Sequence, residues 1–141
     1  RMGDPECQVI LPRLKTDIVK IFKSAISNKL KDIKIEWKTQ KCMTIVLCAK
    51  GYPGSYKKNI PIKNISKVKQ SKTNFIYHAG TYFSGKIVRS IGGRILNISS
   101  VGDSFIEIRK KIILNIKKLN LKGSFFRRDI GWKVIDKNEN Y

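Results

Sequence analysis

Arg1-Met2-Gly3-Asp4-Pro5-Glu6-Cys7-Gln8 sets one cation and two carboxylates beside a glycine and a proline. The run is too polar and too kinked for a core element. Gly3 permits a turn that a side chain would obstruct, while Pro5 fixes its own φ and pushes Asp4 out of the α region. It reads as a rigid bend leading into a helix. Glu6 then lies near the start of that helix, where an acidic side chain opposes the positive end of the dipole. On composition alone, the segment is a charged loop capped for stability.

Working outward, apolar residues fall at Ile10, Leu14, Ile18, Ile21, Phe22, Ala25 and Ile26. This spacing of three and four predicts an amphipathic helix from Val9 to about Leu30. Pro12 belongs in its first turn, or at a break between a short turn and the helix. Lys31 to Lys41 reads as a connector, with a domain boundary near Trp37 to Thr39. Cys42 to Ala49 is short, β-branched and almost continuously apolar, hence a buried strand. Gly51-Tyr52-Pro53-Gly54-Ser55-Tyr56 follows as a tight turn. It is either a structural turn or a place where backbone N–H groups meet a ligand, and it lacks the length and terminal Lys-Ser/Thr of a P-loop.

Lys57 to Thr73 scatters isoleucines among lysines and predicts an irregular, mostly exposed connection. Asn74 to Ala79 is a second strand, Thr81 to Ser90 a hairpin turning at Ser84-Gly85, and Ile95 to Ser100 another strand. The pair Gly92-Gly93 allows close backbone approach between strands. Ser104 and Glu107 have capping-box spacing, and Ile108, Ile112, Ile116 and Leu119 form one face of a helix of about four turns. Phe125, Phe126 and Trp132 are expected to seal the core, with Arg127, Arg128 and Asp129 in a local ion network or facing a neighbouring domain. Lys133 to Tyr141 is polar and expected to fray.

The 141 residues allow one domain with a real core, or a small domain plus part of another. No apolar run nears the roughly 20 residues needed to cross a membrane. The net charge of +20 resembles the footprint of a nucleic-acid binder. However, lysine far outnumbers arginine, and the lysines are spread over helices, loops and strand ends alike. A solvated surface is the favoured reading, with a small basic nucleic-acid-binding module as the alternative. Cys7, Cys42 and Cys48 have no metal-like spacing and read as reduced thiols, which suits the cytoplasm. His78, the sole histidine, has no nearby nucleophile or metal partner and reads as a structural hydrogen-bonding residue.

Arg1 to Gln8, followed by Leu11-Pro12-Arg13-Leu14-Lys15-Thr16-Asp17, resembles the Arg-Phe-Gly-Asp-Pro-Glu-Thr-Gln segment of the phosphoribosylamine-glycine ligases, or glycinamide ribonucleotide synthetases. Further blocks match in order: Gly51 to Tyr56, His78-Ala79-Gly80-Thr81, Gly92-Gly93-Arg94 and Arg127-Arg128-Asp129-Ile130-Gly131-Trp132. Met2 stands for the usual phenylalanine and Cys7 for a threonine, and neither change removes a charge.

The resemblance implies an α+β chain. Residues 1–38 would be the terminal helical segment of an ATP-grasp domain, and residues 39–141 a small mixed-sheet C-terminal domain with one long helix. The chain, which opens inside a motif, would be the C-terminal portion of a longer polypeptide. The implied activity belongs to purine biosynthesis: ATP phosphorylates glycine to an acyl phosphate, which the amine of 5-phosphoribosylamine attacks to give glycinamide ribonucleotide, ADP and phosphate. ATP and Mg2+ or Mn2+ would be needed, with the metal ligands (a Glu and an Asn of Glu-Phe-Asn-x-Arg) falling before Arg1 and none within this chain. Arg1 would be the catalytic cation stabilising phosphate or acyl-phosphate charge. Asp4 and Glu6 would bind glycine or its amine partner, with a structural cap as the alternative for Glu6. Tyr52 and Arg128 are further substrate-binding candidates. The 141 residues alone are expected to be inactive, and the partner is the upstream ATP-grasp domain, with neither membrane nor nucleic acid expected.

Overall fold

The computed structural model describes residues 2–135. It is an α+β fold built around a four-stranded sheet of order β3-β6-β1-β7, with β1 at Lys41–Ala49, β3 at Asn74–His78, β6 at Arg94–Gly102 and β7 at Ser124–Phe125. A second sheet of order β2-β5-β4 comprises β2 at Pro61–Ile62, β4 at Thr81–Ser84 and β5 at Ile87–Ser90. Every pairing among these strands is antiparallel.

Helix α3, Phe105–Leu119, covers one face of the larger sheet. Its buried residues Ile108, Ile112, Ile116 and Leu119 are those the periodicity singled out, and they pack with Ile45, Leu47, Leu96 and Ile98 of the central strands. Ser104 occupies the N-cap position, but its side chain makes no cap hydrogen bond, so the expected capping box does not form. The helix stops at Asn120, whose φ of 43° is left-handed.

The opposite face of the sheet presents Cys42, Thr44, Val46 and Cys48, since alternate residues of β1 share a face. Helix α1, Cys7–Arg13, packs there against β1 and β6. A long helix over 9–30 does not form. The chain is extended at Leu14, which bridges to Trp37, and the Lys15 and Thr16 N–H groups donate to the Glu36 carbonyl at 3.0 and 3.3 Å. Asp17 then caps a new helix, α2 at Ile18–Ile26, by accepting from the Val19 N–H at 2.8 Å. Cross-chain backbone bonds and a competing cap therefore override the continuous apolar period. They also make Lys34 to Lys38 a paired strip rather than a free connector. No residue of α2 is buried, and Ile26 is 84% exposed.

Lys57 to Thr73 also departs from expectation. Ile60, Ile62 and Val68 are buried in the core, and β2 pairs with β5. A two-residue strand flanked by isolated isoleucines is too short to show a period. At the other end, Phe126 packs against the core, while Phe125 and Trp132 remain substantially exposed and do not seal it. Among the described residues, no helix is long and apolar enough to cross a membrane.

Candidate functional site

The bend at Gly3 to Glu6 is anchored to the sheet face that α1 covers. The Asp4-Pro5 peptide is cis, and the Cys7 N–H donates to the Gly3 carbonyl at 2.9 Å to start α1. Asp4 is held from three directions. Its Oδ1 accepts from Gln8 Nε2 at 3.1 Å and from Asn97 Nδ2 at 3.3 Å. Its carbonyl oxygen accepts from Arg94 Nη1 at 2.9 Å, and its Oδ2 lies 3.4 Å from Arg94 Nη2. Glu6 takes the N-cap position of α1 without a side-chain cap bond. Its carboxylate folds back over Gly3, where any Cβ would collide with it.

Tyr52 reaches the same region from the turn after β1. The Tyr52-Pro53 peptide is cis. The Tyr52 ring lies on Gly93, leaving no room there for a side chain, and meets Tyr56 edge-on at 5.9 Å. Gly80 and Gly92 likewise approach backbone to backbone, with Gly80 N–H donating to the Arg94 carbonyl at 2.8 Å. The paired glycines thus serve one close strand contact and one aromatic seat. Tyr52 and Pro5 line an apolar cavity of about 330 Å³ that also includes Val46, Cys48, Phe126 and Arg127.

Asp4, Glu6 and Tyr52 therefore gather around one sheet face. Arg128 lines a separate cavity of about 410 Å³ with Leu47, Ile116, Lys117 and Asn120, and its carbonyl accepts from the Arg109 guanidinium. Arg127 forms a two-pronged pair with Asp129, Nη2 to Oδ2 at 2.6 Å and Nε to Oδ1 at 3.1 Å. This hydrogen-bonded pair holds the Asp129 carboxyl below its ordinary range and forms the local ion contact expected of the block. Arg1 lies outside the described residues. His78 Nδ1 is hydrogen-bonded to Thr81 Oγ1 at 2.8 Å, a structural arrangement.

Arg94, Asn97 and Gln8 are the residues that local reading missed. Arg94 was visible as the end of the Gly92-Gly93-Arg94 block and Asn97 only as a residue within the strand Ile95 to Ser100, neither as a partner of Asp4. Burial pushes the thiol of Cys42 up to about 11 against the opposing pull of Arg13 and Lys38. Cys48 is also raised by burial. All three cysteines are free.

Among the described residues, no group of three or more His, Cys, Asp or Glu side chains could hold a metal ion. Asp4 is already engaged by Arg94, Asn97 and Gln8. These residues do not by themselves fit a nucleotide-bound divalent ion.

Residues 42–133 match the family model described as phosphoribosylglycinamide synthetase, C domain. A phosphoribosylamine–glycine ligase of Caldanaerobacter subterraneus is 45% identical over 92% of this chain and 30% of its own length. The chloroplastic phosphoribosylamine–glycine ligase of Arabidopsis thaliana is 36% identical over 96% of this chain and 26% of its own. The crystal structure of the Thermotoga maritima phosphoribosylamine–glycine ligase superposes with a TM-score of 0.69 at 26% identity, covering 92% of this chain and 31% of that one. The chain thus spans about a third or less of the length of these relatives. With the matched model covering most of its residues, the chain belongs to the phosphoribosylglycinamide synthetase C-domain family.

Proposed function

We propose that this chain is the C-terminal portion of an ATP-dependent ligase that joins glycine to 5-phosphoribosylamine in purine biosynthesis. Residues 1–38 would close an ATP-grasp domain and residues 39–141 form its C-terminal companion. The observation that carries the reading is the run of relatives named for this ligase over more than nine tenths of the chain. A trifunctional purine biosynthetic protein of Gallus gallus, 36% identical over 96% of this chain and 14% of its own length, supports the pathway. These names favour the ligase over a nucleic-acid-binding module.

In this reading Arg1 offsets charge on the transferred phosphoryl group, and Asp4, Glu6 and Tyr52 border the place where glycine or its amine partner is oriented. Arg128, in its separate cavity, would bind substrate or serve the contact with the upstream domain. ATP and its divalent metal would be held by residues preceding Arg1. The exposed apolar face of α2 is where that upstream domain would pack, and the cytoplasm is the proposed location.

The test is ADP release by the full-length polypeptide, dependent on both glycine and 5-phosphoribosylamine. The 141-residue chain alone should show none. Absence of that activity from the full-length protein, or a sequence other than Glu-Phe-Asn-x immediately before Arg1, would sink the proposal.

A further inference from the structure

Arg94 and Asn97 stand three residues apart in β6, a separation that in a regular strand turns two side chains to opposite faces. The β1–β6 ladder is not regular. Leu47 pairs with Leu96 and Cys48 with Arg94, which leaves Ile95 as an additional residue. This bulge restores the phase. Arg94 now lies opposite Cys48 and Asn97 opposite Val46, and because Val46 and Cys48 share a face, so do Arg94 and Asn97. Both then reach Asp4, one through its carbonyl oxygen and Oδ2, the other through Oδ1.

The contacts grip main chain and side chain together, so they fix the placement of the bend as well as the carboxylate. Glu6, two residues on, is left without a cap bond. The Asp4 and Arg94 side chains are 47% and 42% exposed, and a half-exposed ion pair adds little to global stability. A grip of this geometry does more for position than for folding.

We propose that Arg94, assisted by Asn97, is a positioning residue for the ligase reaction. It clamps Asp4 to the sheet and thereby sets where Glu6 is presented to substrate. The bulge at Ile95 is the device that brings both side chains to the motif. The inference rests on the functional reading above and adds to it a role for the C-terminal sheet as part of the active-site scaffold.

The test uses the full-length polypeptide with Arg94→Ala, Arg94→Lys, Asp4→Asn and the double variant Arg94→Ala/Asp4→Asn. Hydrogen exchange should rise across residues 2–13 in Arg94→Ala and Asp4→Asn, with α3 protection unchanged. In Arg94→Ala, kcat should fall by about ten- to a hundredfold with the KM for ATP unchanged. Arg94→Lys, able to keep one of the two contacts, should recover part of the loss. The double variant should be no slower than the slower single, because both changes break one clamp. Unchanged exchange, unchanged kcat, or losses that add in the double variant would overturn the proposal. A wild-type protein without glycine-dependent ADP release would instead refute the ligase reading, and the exchange measurement would still decide whether the clamp exists.

Discussion

Replacing Gly80 by alanine tests the close backbone contact beside the site. A methyl group there would lie 2.6 Å from Gly92 Cα and 2.7 Å from both the Gly92 nitrogen and the Arg94 carbonyl oxygen. These are main-chain atoms, with no rotamer by which to yield. Admitting the methyl means parting segments joined by Gly80 N–H to Arg94 at 2.8 Å and by Gly92 N–H to Gly80 at 3.2 Å. Overpacking costs about 1–3 kcal/mol and each lost hydrogen bond about 1 kcal/mol, for a total of roughly 2–5 kcal/mol. Gly85 supplies the contrast, since its φ is +60° and nothing lies within 4 Å of its added Cβ. Alanine there meets only the left-handed backbone preference, about 1 kcal/mol. In urea unfolding of the 141-residue chain followed by circular dichroism, the midpoint should drop by roughly 1–2 M for Gly80→Ala and by less than about 1 M for Gly85→Ala. Equal midpoints for the two variants, or a wild-type midpoint for Gly80→Ala, would refute the steric argument.

Other perturbations address the core, the thiols and the open helix. Ile112 is fully buried in α3, so Ile112→Ala should cost about 2–5 kcal/mol in the same assay, and no loss would mean that α3 does not pack on the sheet. Cys42 ionises less readily folded than unfolded, its thiol raised to about 11 by burial. Its contribution to stability is therefore complete below the ordinary thiol range and is lost as pH rises toward 11. The urea midpoint should fall between about pH 9 and 11, and less steeply in Cys42→Ala; identical slopes would remove Cys42 as a cause. Ile26→Lys should change the stability of the 141-residue chain by less than about 0.5 kcal/mol but clearly destabilise the full-length polypeptide. Equal, small effects in both would mean that nothing upstream packs on α2.

The elements that declare themselves locally were legible. Helix α3 shows four apolar residues in register, β1 is an almost continuous apolar run, and the β4–β5 hairpin is marked by Ser84-Gly85. Elements set by distant partners were not. The apolar period runs unbroken through Leu14, so only the Glu36 and Trp37 contacts reveal the break between α1 and α2. Ile60 and Ile62 look like scattered residues until β5 is beside them. The motif at Asp4 to Glu6 was legible by resemblance, whereas its Arg94 and Asn97 partners depend on the bulge at Ile95, which no local pattern announces.

The Asp4 and Arg94 contacts join residues 90 positions apart, which has a consequence for how the protein is made. The motif at the start of this chain leaves the ribosome well before the strand that holds it exists. At ordinary elongation rates that interval is roughly 5–20 s. Throughout it the bend must stay unclasped in the nascent chain, and its charged, proline-stiffened composition suits that wait better than an apolar segment would. Of the partners in this clamp, Asp4 is thus made first and is held only once the later strand has been made.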